Sequence, residues 1–416
     1  MKILMLSIGS RGDCEPFLGV GEMLCSFGVE VICAFPEQYR NLAEESGFAF
    51  YSLGSEFIDL LDTDTGREAM GGGQGGLKKI KALIDLSKLS LPIQKRMIER
   101  QYEIIMALKP DCIVFHPKVT VPLPWHLKTG GKIAMLSPVP CMLHEVKGHS
   151  NVGINKNLGS LINPLTYKLA NSGTASAVMM AVKKYFPNEF TKKEILKELL
   201  KMKIFYTVSP SLFKRPDKWP NNAMVAGFWE RDKMTGWEPS QDILTFLDKH
   251  EKVILITFGS MVNPHPEKTT TLFLEILKET GIPAIINIAG GGLQKIDTSK
   301  TNNIFWVDGI PYDWAFERMY AVIHHGGAGT SHSAIRAGCA TMAIPHTADQ
   351  PLWDQVIALS GAGPKGIPIA KLKRDILKAK LLDLVNNDSY KLKAEELARE
   401  MSQEDYREAL YQFIVS

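Results

Sequence analysis

The sequence predicts an α/β protein built from two similar halves, each a mostly parallel sheet covered by helices. Three observations lead there. Short apolar runs alternate with amphipathic stretches of helical length. The pattern restarts in the second half, and each half opens on a buried strand that ends in a glycine turn, "KILMLSIGSRG" and "VILITFGSM". In the first half the expected strands are "KILMLSI", "VEVICAF", "CIVFH", "KIAMLS" and "IFYTVS". Next comes "KRPDKWPNNAMVAGFWERDKMTGWEPSQD", rich in Pro, Asn and Trp and without a periodic element, so residues 216–240 are expected to be a linker between domains 1–215 and 241–400. The second half offers "VILITFGS", "PAIINIAG", "NIFWV", "AVIHH" and "TMAIP". The crevice between the domains is the expected site.

Composition supports two full cores: 416 residues, 45% hydrophobic and 22% charged. The apolar opening stops at Gly9 and Arg11, too soon for a signal peptide, and no later run reaches membrane length, so a cytoplasmic location is expected. Six scattered cysteines without a CxxC pair are expected to be reduced and mostly buried. Through Arg215 there are 27 Lys and Arg against 20 Asp and Glu, and after it 21 against 25. Between Lys147 and Arg215 twelve basic residues meet three acidic ones. That excess is either a solvated helix face or a patch for an acidic acceptor or an anionic surface, the latter placing the protein peripherally at the inner face of a membrane. Without interleaved aromatics or a binding motif, no nucleic acid is expected.

Three clusters carry little chemistry. "GGGQGG", Gly71 to Gly76, follows no strand and reads as a loop. "DTD", Asp62 to Asp64, fails the calcium-loop pattern because Gly73 stands where the closing Glu belongs, so no metal is expected. The opening turn has Gly9, Gly12, Gly19 and Gly21 but no G-x-G-x-x-G, and no acid follows "VEVICAF" before Glu37, which speaks against a nicotinamide-dependent oxidoreductase.

The stretch "AVIHHGGAGTSHSAIRAG" is more telling. A strand ending at His325, a turn through Gly327, Ala328 and Gly329, and a helix from near Thr330 would aim unpaired N–H groups at an anion, with the Thr330 hydroxyl and His325 as further donors for a diphosphate. A tight turn packed against its neighbour accounts for a lone GGAG equally well. Alternation sends His324 and His325 to opposite faces, so one is expected at the ligand and the other in the core. In "IPHTADQPLWD", Asp349 and Gln350 combine acceptors with donors, suiting vicinal sugar hydroxyls, although such a pair is also a common helix cap. Gly12-Asp13 before Pro16 reads as a helix start, and His116 closes "CIVFH" at the carboxyl edge of the first sheet, as a core residue or as an assistant at the site.

Taken together, "HHGGAGTSHSAIRAGCATMAIPHTADQPLWDQ", "IGSRGDCEPFLGVGEMLCSFGVEV" and "ITFGSM" resemble the glycosyltransferase family that includes sterol glucosyltransferases and the bacterial glycosyltransferases of glycopeptide and macrolide antibiotics, which is UDP-glycosyltransferase-like. The likeness covers nearly the whole chain, the "GFW…W" linker included. It implies the GT-B fold: an N-terminal acceptor domain and a C-terminal nucleotide-sugar domain, both Rossmann-like, facing a central cleft, with a last helix at residues 401–416, which include "EDYREALYQFIV", crossing back to the first domain. It implies that Ser260, His325, Gly327, Ala328, Gly329 and Thr330 contact the donor diphosphate, that Ile310 and Pro311 in "VDGIPYDW" hold the base, and that Asp349 and Gln350 bind the sugar. The loop of Ser10, Arg11 and Gly12 would face acceptor and phosphate, and Asp13 would be the catalytic base, assisted by His116. Two departures stand out. Ser333 occupies the position where plant members have a ribose-gripping Glu, leaving UDP and dTDP donors both open, and Tyr312 replaces a His common in the base loop. The implied reaction is an inverting displacement without metal or cofactor, from a nucleoside-diphosphate sugar to the hydroxyl of a hydrophobic acceptor such as a sterol, lipid or polyketide. "SPVPCMLHEVKGHSNVGINKNLGSLINPLTYKLANSG" has the apolar and basic character such an acceptor needs. The alternatives are a nucleotide-sugar epimerase or hydrolase of the same fold, and a non-catalytic nucleotide-sugar-binding protein.

Overall fold

The computed structural model describes residues 1–66, 77–154, 157–231, 237–259, 261, 263, 265–298 and 301–416; "GGGQGG" and Ser260 lie outside these residues. The first half runs β1 (Lys2–Leu6), α1 (Arg11–Ser26), β2 (Glu30–Phe35), α2 (Arg40–Glu45), β3 (Ala49–Ser52), α3 (Glu56–Leu61), α4 (Leu77–Leu108), β4 (Cys112–Phe115), α5 (Pro122–Thr129), β5 (Lys132–Ser137), α6 (Asn163–Tyr185), α7 (Lys192–Lys201), β6 (Lys203–Tyr206) and β7 (Ala223–Val225). The second runs α8 (Gln241–Lys249), β8 (Ile254–Thr257), α9 (Pro266–Thr280), β9 (Ala284–Asn287), β10 (Ile304–Val307), α10 (Tyr312–Phe316), β11 (Ala321–His324), α11 (Ala328–Arg336), β12 (Ala340–Ala343), α12 (Gln350–Ser360), α13 (Arg374–Asn386), α14 (Asp388–Ser402) and α15 (Arg407–Val415).

All ten expected strands form, in two parallel sheets ordered β3-β2-β1-β4-β5-β6-β7 and β10-β9-β8-β11-β12. Their near-continuous apolar runs follow from burial on both faces: β4, β8, β11 and β12 are buried at every residue. Two strands were not foreseen. β3 is half-exposed along its length, and β7 has three residues, too few to show a period. β7 corrects the linker boundary, because it pairs with β6 inside the segment expected to hold no element, and the first sheet therefore extends beyond residue 215.

Both sheets reverse their winding at one place, between β1 and β4 in the first and between β8 and β11 in the second. At such a point neighbouring crossovers leave on opposite faces, and a crevice opens beyond the carboxyl ends of the strands. The segments that must line it are those after β1, β4, β8 and β11. α15 closes the molecule by returning to the first sheet, where Leu410 and Ile414 enter its core. Each contributes roughly 1.5–3 kcal/mol of burial. Phe27 stacks on Tyr411 with ring centroids 4.4 Å apart, and the Lys132 ammonium donates to the Val415 carbonyl at 2.5 Å.

Candidate active site

After β1 the chain makes a turn that only glycine can make at residue 9. Gly9 has φ +138°, and a Cβ there would lie 2.1 Å from Asp13 Oδ2. The Asp13 carboxylate folds back into that space. Its Oδ2 accepts the Ser10 N–H at 2.8 Å, the Ser10 hydroxyl at 3.1 Å and the Lys118 ammonium at 3.0 Å. Asp13 thus does cap α1, as its place in the sequence suggests, while its Oδ1 faces His116 Nε2 at 3.1 Å. His116 sits fully buried just past β4, where its Nδ1 accepts the Lys118 N–H at 3.2 Å. The neutral ring therefore carries its proton on Nε2, toward Asp13. Burial raises the Asp13 pKa, but Lys118 and His116 outweigh it and hold the carboxyl far below its ordinary range. Burial also lowers His116, against the pull of Asp13. Ser10 and Gly12 are exposed at the rim, and Arg11 pairs with Glu15 at 2.7 Å.

The turn after β11 is of another kind. α11 starts at Ala328, two residues earlier than expected, with Gly327 as its N-cap, so the free N–H groups of its first turn belong to Ala328, Gly329 and Thr330. His324 and His325 divide as alternation requires. His324 is fully buried in the core, its Nδ1 accepting the Gly326 N–H at 2.9 Å. His325 lies beyond the strand with its ring between two glycines: a Cβ on Gly327 would stand 2.4 Å from its Nε2, and one on Gly259 3.3 Å from its Cε1. Within this stretch His325 is what excludes a side chain at Gly327, while Gly326 is required by its φ of +87° and Gly329 faces open space. Among the described residues the buried Nδ1 of His325 has no partner, and burial, with the neighbouring His324 and His346, holds the ring neutral. A neutral imidazole beside a helix N-terminus is a hydrogen-bonding group for an anion that carries no counter-charge of its own.

Ile310 is buried behind β10, and Pro311 is the N-cap of α10. Tyr312 exchanges a 2.8 Å hydrogen bond with the Thr257 hydroxyl and stacks on Phe316, fixing the end of β8 next to Gly259. Asp349 stands at the N-cap of α12 but makes no cap bond. Its Oδ2 instead accepts the Trp353 indole N–H at 2.8 Å. Burial pushes its pKa up to about 6, with Asp13 adding to the shift from across the cleft. Ala348 before it has φ +53°, a strained conformation for a residue with a Cβ. Gln350 is buried, and its amide oxygen accepts from the His346 and Thr347 N–H groups at 2.7 and 3.0 Å, so only its nitrogen is left to offer a ligand. Among the described residues no group of three or more His, Cys, Asp and Glu is arranged to hold a metal ion. All six cysteines are free, with Cys25 alone exposed.

Residues 283–411 match the model of the erythromycin biosynthesis protein CIII-like C-terminal domain. Over 97% of its length the chain is 28% identical to a sterol 3-beta-glucosyltransferase of Arabidopsis thaliana, spanning 64% of that protein. It is 26% identical to O-mycaminosyltylonolide 6-deoxyallosyltransferase of Streptomyces fradiae over 97% of this chain and 94% of the relative. The chain spans less than two thirds of the sterol glucosyltransferases it matches, 64% of the first and 34% of one from Saccharomyces cerevisiae. The crystal structure of the glycotransferase of kitacinnamycin superposes with a TM-score of 0.72 at 16% identity, covering 99% of this chain and 98% of its own. That of SsfS6 from Streptomyces sp. SF2575, complexed with thymidine diphosphate, superposes at 0.62 with 16% identity, covering 100% and 99%. The fold is GT-B.

In this GT-B fold the two halves meet through contacts that the sequence did not reveal. His332 of α11 accepts the Ser209 N–H on Nε2 at 3.1 Å, holds the Ala328 carbonyl with Nδ1 at 2.7 Å, and stacks on Phe228 at 4.4 Å. Glu230, packed by its backbone against Gly19 of α1, accepts the Ser333 hydroxyl at 2.5 Å and pairs with Arg336. Ser333 is thus engaged with a carboxylate from the "GFWER" segment. Glu404 accepts from the Ser209 and Ser211 hydroxyls at 2.5 and 2.7 Å. Lys118 was also missed; its one signal is the "HPK" that follows a central strand.

Proposed function

We propose that this GT-B protein is an inverting, metal-independent glycosyltransferase that moves a hexose from a UDP- or dTDP-linked donor to the hydroxyl of a hydrophobic acceptor. The observation that carries this reading is the pairing of two unlike turns, each beside the winding reversal of its own sheet: a carboxylate held ionised after β1, and a neutral, N–H-rich turn after β11. The activities named for the sterol 3-beta-glucosyltransferase and O-mycaminosyltylonolide 6-deoxyallosyltransferase relatives, and the thymidine diphosphate held by one structural neighbour, support the substrate classes. In this reading the first sheet, with β7, forms the acceptor domain, residues 241–400 the donor domain, and 401–416 the returning helix.

The acceptor oxygen attacks the anomeric carbon as the bond from that carbon to the diphosphate breaks, and Asp13 takes the acceptor's proton. His116 cannot be the base, because its Nδ1 is committed to backbone and its Nε2 already bears a proton. Its part is to orient Asp13. With Lys118 seated on Oδ2, Asp13 is ionised but weakly basic, so the acceptor hydroxyl is received either on Oδ1 or in place of the exposed Lys118 ammonium. Charge on the leaving diphosphate is met by the N–H groups of Ala328, Gly329 and Thr330, the Thr330 hydroxyl and His325. Asp349 receives the sugar hydroxyls, and Ile310 and Pro311 border the base.

The test is to incubate the protein with labelled UDP and dTDP sugars and a panel of apolar alcohols. Acceptor-dependent product with inverted anomeric configuration is expected. Turnover without acceptor would establish a hydrolase or epimerase instead, and binding without turnover a non-catalytic role.

A further inference from the structure

Helix α6 is apolar on two sides. Its inner side buries Thr166, Tyr167, Asn171, Ala175 and Val178, as a surface helix should. Its outer side continues from the preceding turn as Leu161, Leu165 and Leu169, spaced four apart and 85, 56 and 72% exposed, with Leu158 and Ile162 exposed beside them. This exposure is built in. Buried Asn163 ties the turn down, accepting the Leu158 N–H at 2.9 Å and donating to Asn157 Oδ1 at 3.0 Å, while Thr166 accepts the Asn151 N–H at 2.8 Å. The same segment leads into the cleft, since His149, Ser150 and Asn157 line a pocket together with Cys141, Asp349 and Leu352.

The charge around the ridge says what covers it. No Asp or Glu occurs between Glu145 and Glu189. Exposed Lys168 lies within the ridge, and the Lys192 ammonium reaches the same helix at Ser172, 2.9 Å away. A second copy of the chain would bring these lysines against their equals. A sheet of anionic headgroups over hydrocarbon matches both the apolar crest and its basic flank. Among the described residues no helix is long and apolar enough to cross a membrane.

We infer that the ridge Leu158, Leu161, Ile162, Leu165 and Leu169 docks the protein on an anionic lipid surface, with Lys168 and Lys192 at the level of the phosphates and the mouth of the cleft turned toward the bilayer. The purpose of such docking, to collect an acceptor from the membrane, rests on the proposed apolar acceptor. The docking itself does not, and is measured without turnover.

The experiment is flotation of the full chain with phosphatidylcholine vesicles, with and without phosphatidylglycerol. The parent is expected to float with the anionic vesicles. Leu161→Ser/Leu165→Ser/Leu169→Ser should lower the bound fraction on the order of a hundredfold, and Lys168→Glu/Lys192→Glu by about tenfold or more, with the lysine dependence lost at high salt. Thermal unfolding of both variants should match the parent, since none of these side chains is buried. A parent that stays with the soluble fraction, or a triple-serine variant that floats as well as the parent, would overturn the inference. A parent dimer that the serine substitutions convert to monomer, without vesicle binding, would reassign the ridge to self-association.

Discussion

The turn after β1 and the turn after β11 each flank the winding reversal of their own sheet, yet they are built from opposite materials. The first gathers charges: Asp13, Lys118 and the buried His116 within about one hydrogen bond of each other. The second contains no ionised group, only glycines, backbone N–H groups, a hydroxyl and an imidazole kept neutral by burial. Topology therefore sets where a ligand binds, and residue chemistry sets what is done there. A charged turn can exchange a proton at neutral pH. A neutral turn with donors at a helix N-terminus can accept a charge that arrives with the ligand.

The largest effect expected from breaking this contrast is at Asp13. Asp13→Asn keeps the shape and an oxygen for the Ser10 N–H, so folding should persist, while turnover should fall about a hundred- to ten-thousand-fold. Steady-state rates with thermal melting on the same preparation check both halves of that expectation. More than about a tenth of parental turnover would end the assignment of Asp13 as base.

Gly327→Ala attacks the other turn. Its new Cβ must displace the His325 ring, and the donor KM should rise roughly tenfold, the value of one hydrogen bond to a charged group, with little change in the acceptor KM. An unchanged donor KM would mean that His325 is not where the diphosphate sits.

Lys118→Met sharpens the comparison. Lys118 lowers the Asp13 pKa, so its removal should move the acid limb of the kcat/KM profile to higher pH, by about one to three units. His116, Lys118, Tyr39, Cys14 and Asp349 are the titratable groups coupled to this carboxylate, and Lys118 is the exposed cation among them. An unmoved limb would show that the titrating base lies elsewhere.

The smallest effect concerns stability. Burial lowers His332 and His346 to about 4 and His324 to about 3, from an ordinary value near 6.5. Each is neutral when folded, and the unfolded chain binds protons more readily between those limits. Stability should be complete above pH 6.5 and decline as pH falls toward 4, by about 2–4 °C in Tm for each kcal/mol lost. Thermal scans across this range would refute the account of His332 as a neutral bracket if Tm were flat.

Much of this was legible in the sequence because parallel strands buried on both faces leave apolar runs that cannot be mistaken, and all ten such runs became strands. β3 and β7 escaped because one is half-exposed and the other, though largely buried, is three residues long and too short to leave a recognisable run. The site was legible in part. The glycines after β11, the histidine pair and the acid at residue 13 announce themselves by type and spacing. The partners that tune them do not, since Lys118 reaches Asp13 across 105 residues and Ser209 meets His332 across 123. Such contacts are set by which strand ends the fold brings together, and no local pattern encodes them. Gln350 shows the reverse limit: a residue type well suited to a sugar spends its amide oxygen on the backbone of its own loop.

The claim that the two turns divide the work is tested most directly by calorimetric titration of UDP and dTDP onto the parent, Asp13→Asn and His325→Ala. The account predicts that Asp13→Asn binds nucleotide as the parent does, while His325→Ala binds it about ten- to a hundredfold more weakly, as the loss of a hydrogen bond to a charged group requires. Equal affinity in His325→Ala and the parent, or an equal loss in both variants, would contradict it.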